Sequence, residues 1–314
     1  MIRSLFFATD PIALPALTAL CQQTEIEVLA LVTQPLRPSG RGRKQRESAL
    51  VLGAQSLGLP IQRPHRLDSE EGDRILHQYQ PDFCLVMAYG QIICRRHLDA
   101  IPGPWLNLHG SLLPRWRGAA PIERAIEAGD EETGMMFMAM EEGLDTGAIY
   151  SERRVKIGEH RTSSLRPVMG ELAADLIRED LMGILQGEIP SKAQESEGST
   201  YAKRLRAEEG WIDFMGAADV WSRRARAFDP RPGLTCVDPQ GRRLKLWHCF
   251  AQEGGGDPGR IESLTSAGLV VQCEVGCLVV TELQIEGRKR MKVSDFVHAS
   301  SLQIGEHLAF VGTC

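Results

Sequence analysis

The sequence predicts an α/β protein in which a Rossmann-like domain with a mostly parallel sheet precedes a smaller β-barrel domain. Two short apolar runs near the start, Ile2 to Ala8 and Ile26 to Val32, enclose a helix-like segment around Leu14 to Gln22. This alternation of strand, helix and strand is typical of a parallel sheet. The last third of the chain has short apolar runs separated by Gly and Pro, which favours antiparallel strands. A length of 314 residues exceeds what one hydrophobic core usually organises, so two domains are expected.

Composition is that of a soluble globular protein, with 43% hydrophobic and 25% charged residues. The formal net charge of -5 gives no overall nucleic-acid signature, so any RNA contact must be local. Polar Thr9 and Asp10 follow the first apolar run too soon for a secretory signal or a membrane span. The eight cysteines are scattered, and Cys273 with Cys277 comes nearest to a metal pattern. We therefore expect reduced thiols, a cytoplasmic location, no membrane contact and no metal.

The first domain continues as alternating helices and strands. Helical spacing covers Ala49 to Leu57, a second helix closes at Arg74 to Tyr79, and Phe83 to Ala88 is a third apolar strand. Four further elements are predicted: a helix from Ala119 to Glu127, a strand from Met135 to Met140, an extended ribbon from Gly147 to Ile157 and a helical stretch from Thr162 to Gln186. The turn after the first strand, ATDPIALPAL, lacks the GxGxxG of dinucleotide sites, so a nicotinamide cofactor is poorly supported.

A polar stretch from Gly187 to Arg206, rich in Ser, Glu, Gln and Lys, has the composition of a connecting segment. We therefore place a catalytic domain at residues 1–189, a linker at 190–205 and a second domain at 206–314. The second domain is predicted to contain a helix from Ala217 to Ala227 and strands at Leu244 to Phe250, Gly259 to Leu264, Leu269 to Cys273 and Cys277 to Leu283. The near-regular spacing of these strands predicts a small antiparallel barrel.

A basic segment follows the second strand and holds five cations: Arg37, Arg41, Arg43, Lys44 and Arg46. The cations are interleaved with Pro and Gly, which predicts an exposed loop with neither helix nor strand. Composition alone leaves two interpretations open, a solvated surface loop and a loop that attracts phosphates.

The stretch NLHGSLLPRWRGAAP, from Asn107 to Pro121, has the Gly and Pro content of a fixed loop. Asn107 and His109 lie two residues apart, so on a strand their side chains project to the same side. An amide can donate to a developing oxyanion, and an imidazole can donate or move a proton near neutral pH. A carboxylate would complete the set, and Asp145 in EEGLDTGAIY is the best candidate.

Each of these residues also has an ordinary structural interpretation. Asn107 and Asp145 could be turn formers that bond to their own backbone, and His109 could be a half-buried histidine. Tyr89 leaves the third strand toward the edge where loops of open α/β sheets converge on ligands. It suits either a ligand-pocket wall or a packing aromatic.

The combination of NLHGSLLPRWRGAAPIERAI with GDEETGMMFMAMEEGLDTG closely resembles the methionyl-tRNA formyltransferases, within the wider folate-dependent formyltransferase family. The resemblance implies that Asn107, His109 and Asp145 form the catalytic set. It also implies that the SLLP segment contacts the folate. The position of Tyr89 after the third strand makes it a further candidate for the wall of a folate pocket. The predicted cofactor-binding residues are Ser111, Leu112, Leu113, Pro114 and Tyr89.

The resemblance extends to the basic loop, which in the family enters the acceptor end of tRNA. It implies tRNA contacts for Arg37, Arg41, Arg43 and Lys44, with Arg41 at the place of a key loop arginine. It implies an OB-like, tRNA-binding C-terminal domain. Relatives commonly show a GTP-like tripeptide where this chain has Ala8, Thr9 and Asp10, which leaves the local backbone geometry open.

The function that the resemblance implies is transfer of the formyl group of 10-formyltetrahydrofolate to charged initiator methionyl-tRNA, by a monomer without metal. A formyltransferase acting on an amino sugar nucleotide is the nearest rival, and the basic loop and the long second domain disfavour it. A folate-binding or RNA-binding module without turnover is the alternative from another class. Such a module would not need all three polar residues.

Overall fold

The computed structural model describes residues 1–36 and 46–310. The chain forms two compact units. Unit 1 consists of Met1–Pro121, Glu132–Lys156 and Arg166–Lys203, and unit 2 of Ile122–Glu131, Ile157–Leu165 and Arg204–Cys314. Unit 2 therefore contains two short pieces that precede residue 166 in addition to the C-terminal third.

The strands that position the site belong to unit 1. They are β1 (Ile2–Ala8), β2 (Ile26–Val32), β3 (Ile61–Gln62), β4 (Phe83–Met87), β5 (Trp105–His109), β6 (Arg117–Gly118), β7 (Glu132–Ala139), β8 (Ile149–Lys156) and β9 (Tyr201–Ala202). The described strands form a seven-stranded sheet in the order β3-β2-β1-β4-β5-β7-β8. The five strands from β3 to β5 in this order pair in parallel, whereas β7 and β8 are antiparallel. The prediction of a mostly parallel sheet is confirmed.

The described helices are α1 (Leu14–Cys21), α2 (Ala49–Ser56), α3 (Glu70–Tyr79), α4 (Arg95–Leu98), α5 (Pro121–Ala128), α6 (Thr162–Glu179), α7 (Leu181–Leu185), α8 (Ala218–Ala227) and α9 (Val293–Phe296). The helical stretch predicted from Thr162 to Gln186 is present as two helices, α6 and α7, with Asp180 between them. No helix within residues 1–36 and 46–310 combines the length and the apolar composition that a membrane crossing requires.

The central strands are apolar because they are buried on both faces, as parallel sheets usually are. Residues Leu5 to Ala8 of β1 are fully buried, and β4 and β5 are buried along their whole length. On one face Phe7 packs between Trp105, at a ring-centroid distance of 4.9 Å, and Tyr89, at 5.4 Å. This rigid core fixes the carboxyl ends of the strands.

Asp10 fixes the backbone of the turn that follows β1. Its carboxylate accepts a hydrogen bond from the backbone N–H of Ile12 at 3.0 Å and so caps the 3₁₀ turn Pro11–Ala13. The same carboxylate lies 2.5 Å from the Arg166 guanidinium. Thr9 donates to the carbonyl of Tyr89 at 2.8 Å. The turn is thus tied to the loop after β4.

Unit 2 contains an antiparallel sheet. Its strands are β10 (Leu234–Val237), β11 (Arg243–Gln252), β12 (Ile261–Thr265), β13 (Gly268–Gln272), β14 (Cys277–Ile285) and β15 (Met291–Lys292). The order of the described strands is β10-β11-β14-β13-β12, with β15 paired to β14. Antiparallel pairing throughout agrees with the strand spacing in the sequence.

The seven cysteines within the described residues are free. The Cys277 thiol donates to the Glu262 carboxylate at 3.0 Å, and burial raises the pKa of Cys277 to about 11. Across the described part of the chain, no group of three or more His, Cys, Asp or Glu side chains is arranged to hold a metal ion.

Candidate active site

The predicted catalytic residues come together at one end of the unit 1 sheet. Asn107 and His109 both lie on β5, opposite Met138 and Met136 of β7, so their side chains share one side of the strand. Asn107 is 9% exposed and His109 is 5% exposed. The Asp145 carboxylate reaches both from the loop between β7 and β8: its Oδ1 lies 3.5 Å from Asn107 Nδ2 and its Oδ2 lies 3.6 Å from His109 Nδ1.

The Asp145 carboxylate is held in place mainly by a backbone group. The N–H of Gly118 donates to Asp145 Oδ2 at 2.8 Å. A hydrogen bond to a carboxylate is stronger than one between neutral groups. The Asn107 amide nitrogen makes a second contact, 3.8 Å from the Met138 sulfur, which is a weak acceptor that a substrate oxygen can replace.

The contact made by His109 Nε2 shows that this ring nitrogen carries a hydrogen. His109 Nε2 lies 3.0 Å from the carbonyl oxygen of Trp116, which can only accept, so Nε2 carries a hydrogen. His109 Nδ1 faces the Asp145 carboxylate at a distance just beyond a normal hydrogen bond. Catalytic hydrogen bonds of this kind are often long before substrate binds and tighten in the complex.

The loop that carries Asp145 is strained and tightly packed. Asp145 has a φ of 53°, in the left-handed region that costs a residue with a side chain on the order of 1–3 kcal/mol. Gly147 has to be glycine, because a Cβ there would lie 1.9 Å from the carbonyl oxygen of Ala139. Such strain persists only where the surroundings fix the backbone, and it is common at active sites.

The predicted SLLP segment lies directly beside the catalytic side chains. Ser111 is fully buried and donates to the carbonyl of Arg115 at 2.7 Å, which closes the loop on itself. Leu113 packs with Met136 and Met138 of β7, and its N–H points at the Met136 sulfur at 3.1 Å. Leu112 is partly buried against the same cluster and Pro114, which follows a cis peptide bond, is half-buried. These residues give the site an apolar wall.

Tyr89 takes a packing position. Its side chain is 2% exposed in the core of unit 1, edge-on to Phe7, and burial raises the pKa of its phenol above the ordinary value. Its hydroxyl has no hydrogen-bond partner among the residues that the structure describes. The Tyr89 carbonyl accepts from Thr9 and Gln34, each at 2.8 Å. Through this carbonyl the residue helps to order the loop after β4.

The predicted tRNA-contacting loop falls outside the residues that the structure describes. Arg37, Arg41, Arg43 and Lys44 lie outside the described residues. Their assignment stays a prediction.

Unit 2 gathers part of its basic residues around two tryptophans. The Arg290 guanidinium lies 4.0 Å from the centre of the Trp247 ring, and Arg243 lies 5.6 Å from that of Trp211. A cavity of about 330 Å³ is lined by Trp211, Arg243 and Lys245, together with Gln284 and Glu286. Burial, and secondarily the charge of Arg231, lowers the pKa of Lys245.

A second basic cluster, on α8, is engaged within unit 2. Arg223 pairs with Asp219 at 2.6 Å and Arg224 with Glu127 at 2.9 Å. Arg226 donates to the carbonyl of Gly158. Both clusters combine ion pairs with aromatic contacts: Arg290 pairs with Asp229 at 2.6 Å, and Arg224 lies 5.0 Å from the centre of the Trp221 ring.

Sequence reasoning missed Gly118, Arg117 and Gln194 as parts of this site. The Gln194 side chain contacts the Asp145 loop, although it lies in the polar segment predicted as a linker. No local pattern marks Gln194, because its partners lie 47 or more positions away in sequence. Gly118 belongs to the recognised stretch, but its contribution is a backbone N–H, which carries no residue signature.

Comparison with known proteins identifies the relatives of this chain. The family model described as formyl transferase matches residues 3–166, and the model described as formyl transferase, C-terminal domain matches residues 204–301. The methionyl-tRNA formyltransferase of Paraburkholderia xenovorans is 39% identical over 317 residues, which cover 97% of this chain and 96% of the relative.

Two solved structures share the fold. Methionyl-tRNA formyltransferase from Clostridium thermocellum aligns with a TM-score of 0.55 at 15% identity, over 91% of this chain and 99% of that chain. WlaRD, a sugar 3N-formyl transferase crystallised with dTDP and 5-N-formyl-THF, aligns with a TM-score of 0.67 at 14% identity, over 92% and 99%.

Proposed function

This chain belongs to the formyl transferase family and matches methionyl-tRNA formyltransferases over nearly its full length, and from that premise we propose that it formylates methionyl initiator tRNA. The formyl donor is 10-formyltetrahydrofolate, and the acceptor is the α-amino group of the charged methionine. The observation that carries the proposal is that Asn107, His109 and Asp145 lie together beside an apolar loop. The similarity of the whole chain to these enzymes supports the same function.

The chemistry is an acyl transfer between two nitrogens. The free amine attacks the formyl carbon, negative charge collects on the formyl oxygen, and the bond from that carbon to the folate nitrogen then breaks. The amine loses one proton and the leaving nitrogen gains one, so the reaction needs groups that stabilise an oxyanion and move a proton.

The three side chains suit these two tasks. The Asn107 hydrogen that now points at the Met138 sulfur can donate to the formyl oxygen. His109, on the same side of β5, becomes a second donor when the substrate takes the place of one of its two present contacts. Asp145, held by the Gly118 N–H, orients the imidazole and accepts the proton of the amine. Burial of Asn107 and His109 strengthens their electrostatic interaction with the reacting atoms.

The proposal includes the folate contacts and the division of labour along the chain. Ser111 to Pro114 form the loop against which the folate packs, supported by their position beside the catalytic set. Residues 1–189 act as the catalytic domain and 190–205 as a linker in sequence. Residues 206–314 act as an OB-like tRNA-binding domain, supported by the antiparallel sheet and by Arg243 and Arg290, which lie beside Trp211 and Trp247. The protein works in the cytoplasm as a monomer.

The direct test is formyl transfer from 10-formyltetrahydrofolate to charged initiator tRNA. Charged elongator methionine tRNA and a dTDP-linked amino sugar serve as alternative acceptors in the same assay. Transfer to the initiator tRNA well above both is the expected result. Transfer to the amino sugar alone would assign the chain to the sugar formyltransferases instead.

Replacement of Asn107 by alanine is expected to lower kcat more than it weakens folate binding. The amide faces the oxygen that becomes charged only in the transition state, so its loss should cost about a hundredfold in kcat. Titration of folate affinity beside steady-state kinetics checks this. Equal losses in affinity and turnover would make Asn107 a ground-state binding residue.

Arg41→Ala is expected to impair the use of charged tRNA and to leave folate affinity unchanged. A phosphate contact made by this cation should disappear, so the slope of log affinity against log salt should become shallower by about one. Initial velocities at several salt concentrations measure the effect. Arg95→Ala removes an exposed cation of α4 and serves as the control. Unchanged tRNA kinetics in Arg41→Ala would make the basic loop a solvated surface.

A further inference from the structure

We infer that Gln194, held by the Arg117 side chain, is a positioning residue that keeps the Asp145 carboxylate aimed at the reacting groups. The inference rests on the proposed function and extends it to a part of the chain that neither matched family range covers, since those ranges end at residue 166 and resume at 204. Gln194 contributes no atom to the proposed chemistry. It acts through the backbone of the Asp145 loop.

The Gln194 side chain uses all the hydrogen-bonding capacity of an amide. Its Nε2 donates to the carbonyl of Asp145 at 2.9 Å and to the carbonyl of Gly147 at 2.8 Å. Its Oε1 accepts from Arg117 Nε at 3.1 Å and from Arg117 Nη2 at 2.7 Å. The two forked donors of the guanidinium fix the orientation of the amide, because only the oxygen end can face them.

The Asp145 loop needs such support because its backbone is unfavourable by itself. Asp145 has a positive φ of 53°, and a conformation of this kind persists only where neighbouring groups fix it. One of the two carbonyls that Gln194 binds belongs to Asp145 itself, and the other belongs to Gly147, two residues later. Loss of both donors frees the peptide groups to rotate, and the carboxylate rotates with them.

The same segment also fixes the group that holds the carboxylate. Gly118 follows Arg117, and its N–H donates to Asp145 Oδ2. The short strand β6, formed by Arg117 and Gly118, pairs with β9, and Arg117 N donates to the carbonyl of Thr200 at 2.9 Å. The N–H of Trp116 donates to Thr200 Oγ1, also at 2.9 Å. Residues 194–202 therefore brace both loops that meet at the carboxylate.

The brace is a defined arrangement and not a general surface contact. Arg117 is 9% exposed and Gln194 is half-buried, so the hydrogen bonds between them are partly shielded from solvent. Removing one partner of a buried charged hydrogen bond leaves the other unsatisfied. Arg117 and Gln194 should therefore act as one brace, so that the loss of either side chain has the same effect.

Three variants test this role. Gln194→Glu keeps the length of the side chain and the acceptor for Arg117, but an ionised carboxylate does not donate to the two carbonyls. In Gln194→Glu and in Gln194→Ala, kcat for formyl transfer should fall by roughly tenfold to a hundredfold, the usual scale for a misplaced catalytic group. KM for 10-formyltetrahydrofolate should stay within about twofold, because the loss falls on the transition state. Glu195→Ala changes the exposed neighbour and should keep wild-type kcat.

Coupling of the pair is measured with Arg117→Ala and the Arg117→Ala/Gln194→Ala double variant. If the two side chains form one brace, the double variant loses no more than the worse single variant. If the fold-losses in kcat of the two single variants multiply in the double variant, Arg117 and Gln194 act separately. That result would contradict the inference that they form one brace.

Amide hydrogen exchange supplies a readout that does not depend on activity. In both Gln194 variants, exchange should become faster in a peptide covering residues 140–149 and stay unchanged in β1. The inference requires both this selective exchange and the selective loss of kcat; any other combination overturns it, including faster exchange throughout the protein. If the wild-type protein failed to transfer the formyl group, the proposed function would be wrong, and the exchange data would still decide whether Gln194 braces the loop.

Discussion

Asp145→Asn should lower the turnover of formyl transfer by about a hundredfold or more while the protein stays folded. The substitution keeps the shape of the side chain and replaces an ionised acceptor with a neutral amide. The amide oxygen can still accept from one neighbour, but the carboxylate now accepts from both Gly118 and Asn107. His109 Nδ1 also loses the charge that faces it at 3.6 Å. The general base and the orientation of the imidazole are lost together.

Single-turnover kinetics with saturating donor and charged initiator tRNA measure this effect. Glu142→Gln makes the same chemical change at an exposed position three residues earlier and should leave turnover unaltered. Thermal unfolding of both variants checks that the fold is retained. Turnover of Asp145→Asn within about threefold of wild type would remove Asp145 from the chemistry.

The strands of unit 1 could be predicted closely because burial on both faces makes them continuous apolar runs. β1 and β2 begin and end at the predicted residues, and β4 differs by one residue at its end. The two-residue strand β3 left no such signal, because so short a run is shared with many loops. Hydrophobic periodicity detects length and burial, and β3 has little of either.

The helical stretch from Thr162 to Gln186 was predicted without its single break, because no Gly or Pro separates the two helices. Apolar spacing continues from α6 into α7, so the pattern predicts one helix. The observed break at Asp180 coincides with its ion pair to Arg153 of β8, at 3.1 Å. A partner this far away in sequence is invisible to a local pattern.

The catalytic set shows the same division between local and distant information. Asn107 and His109 share a side because side chains on a strand alternate, and β5 does extend through both residues. Asp145 could be selected because an acid between glycines after a strand suits a loop at the sheet edge. The Gly118 N–H and the Gln194 amide could not be selected, since one is backbone and the other meets its partners only in the folded chain.

The segment from 190 to 205 illustrates why composition is a weak guide to role. Its Ser, Glu, Gln and Lys content is typical of a solvated connection. In the folded protein, Thr200 and β9 satisfy backbone groups of the loop from Pro114 to Ala120. A polar segment suits this place because the loop that it contacts presents peptide N–H and C=O groups, which need hydrogen-bond partners, and not an apolar surface.

His109→Ala is expected to reduce turnover by about a hundredfold or more, because the imidazole is the second donor to the developing oxyanion and the partner of Asp145. The truncation should leave the fold intact: the Trp116 carbonyl that His109 contacts also accepts from Ser111 at 3.4 Å. His77→Ala, at an exposed position on α3, is the matched control and should keep wild-type turnover.

His109→Gln separates the two tasks that an imidazole can perform. A glutamine amide donates a hydrogen bond but does not take up and release a proton near neutral pH. If His109 acts only as a donor, the glutamine variant should recover at least about tenfold of the activity that alanine loses, since one oxyanion donor contributes on that scale or more. If His109 also relays the amine proton with Asp145, glutamine should be as poor as alanine at every pH. The geometry favours the second result, because the imidazole faces the carboxylate with one nitrogen and a fixed carbonyl with the other. Wild-type turnover in either variant would exclude His109 from the reaction.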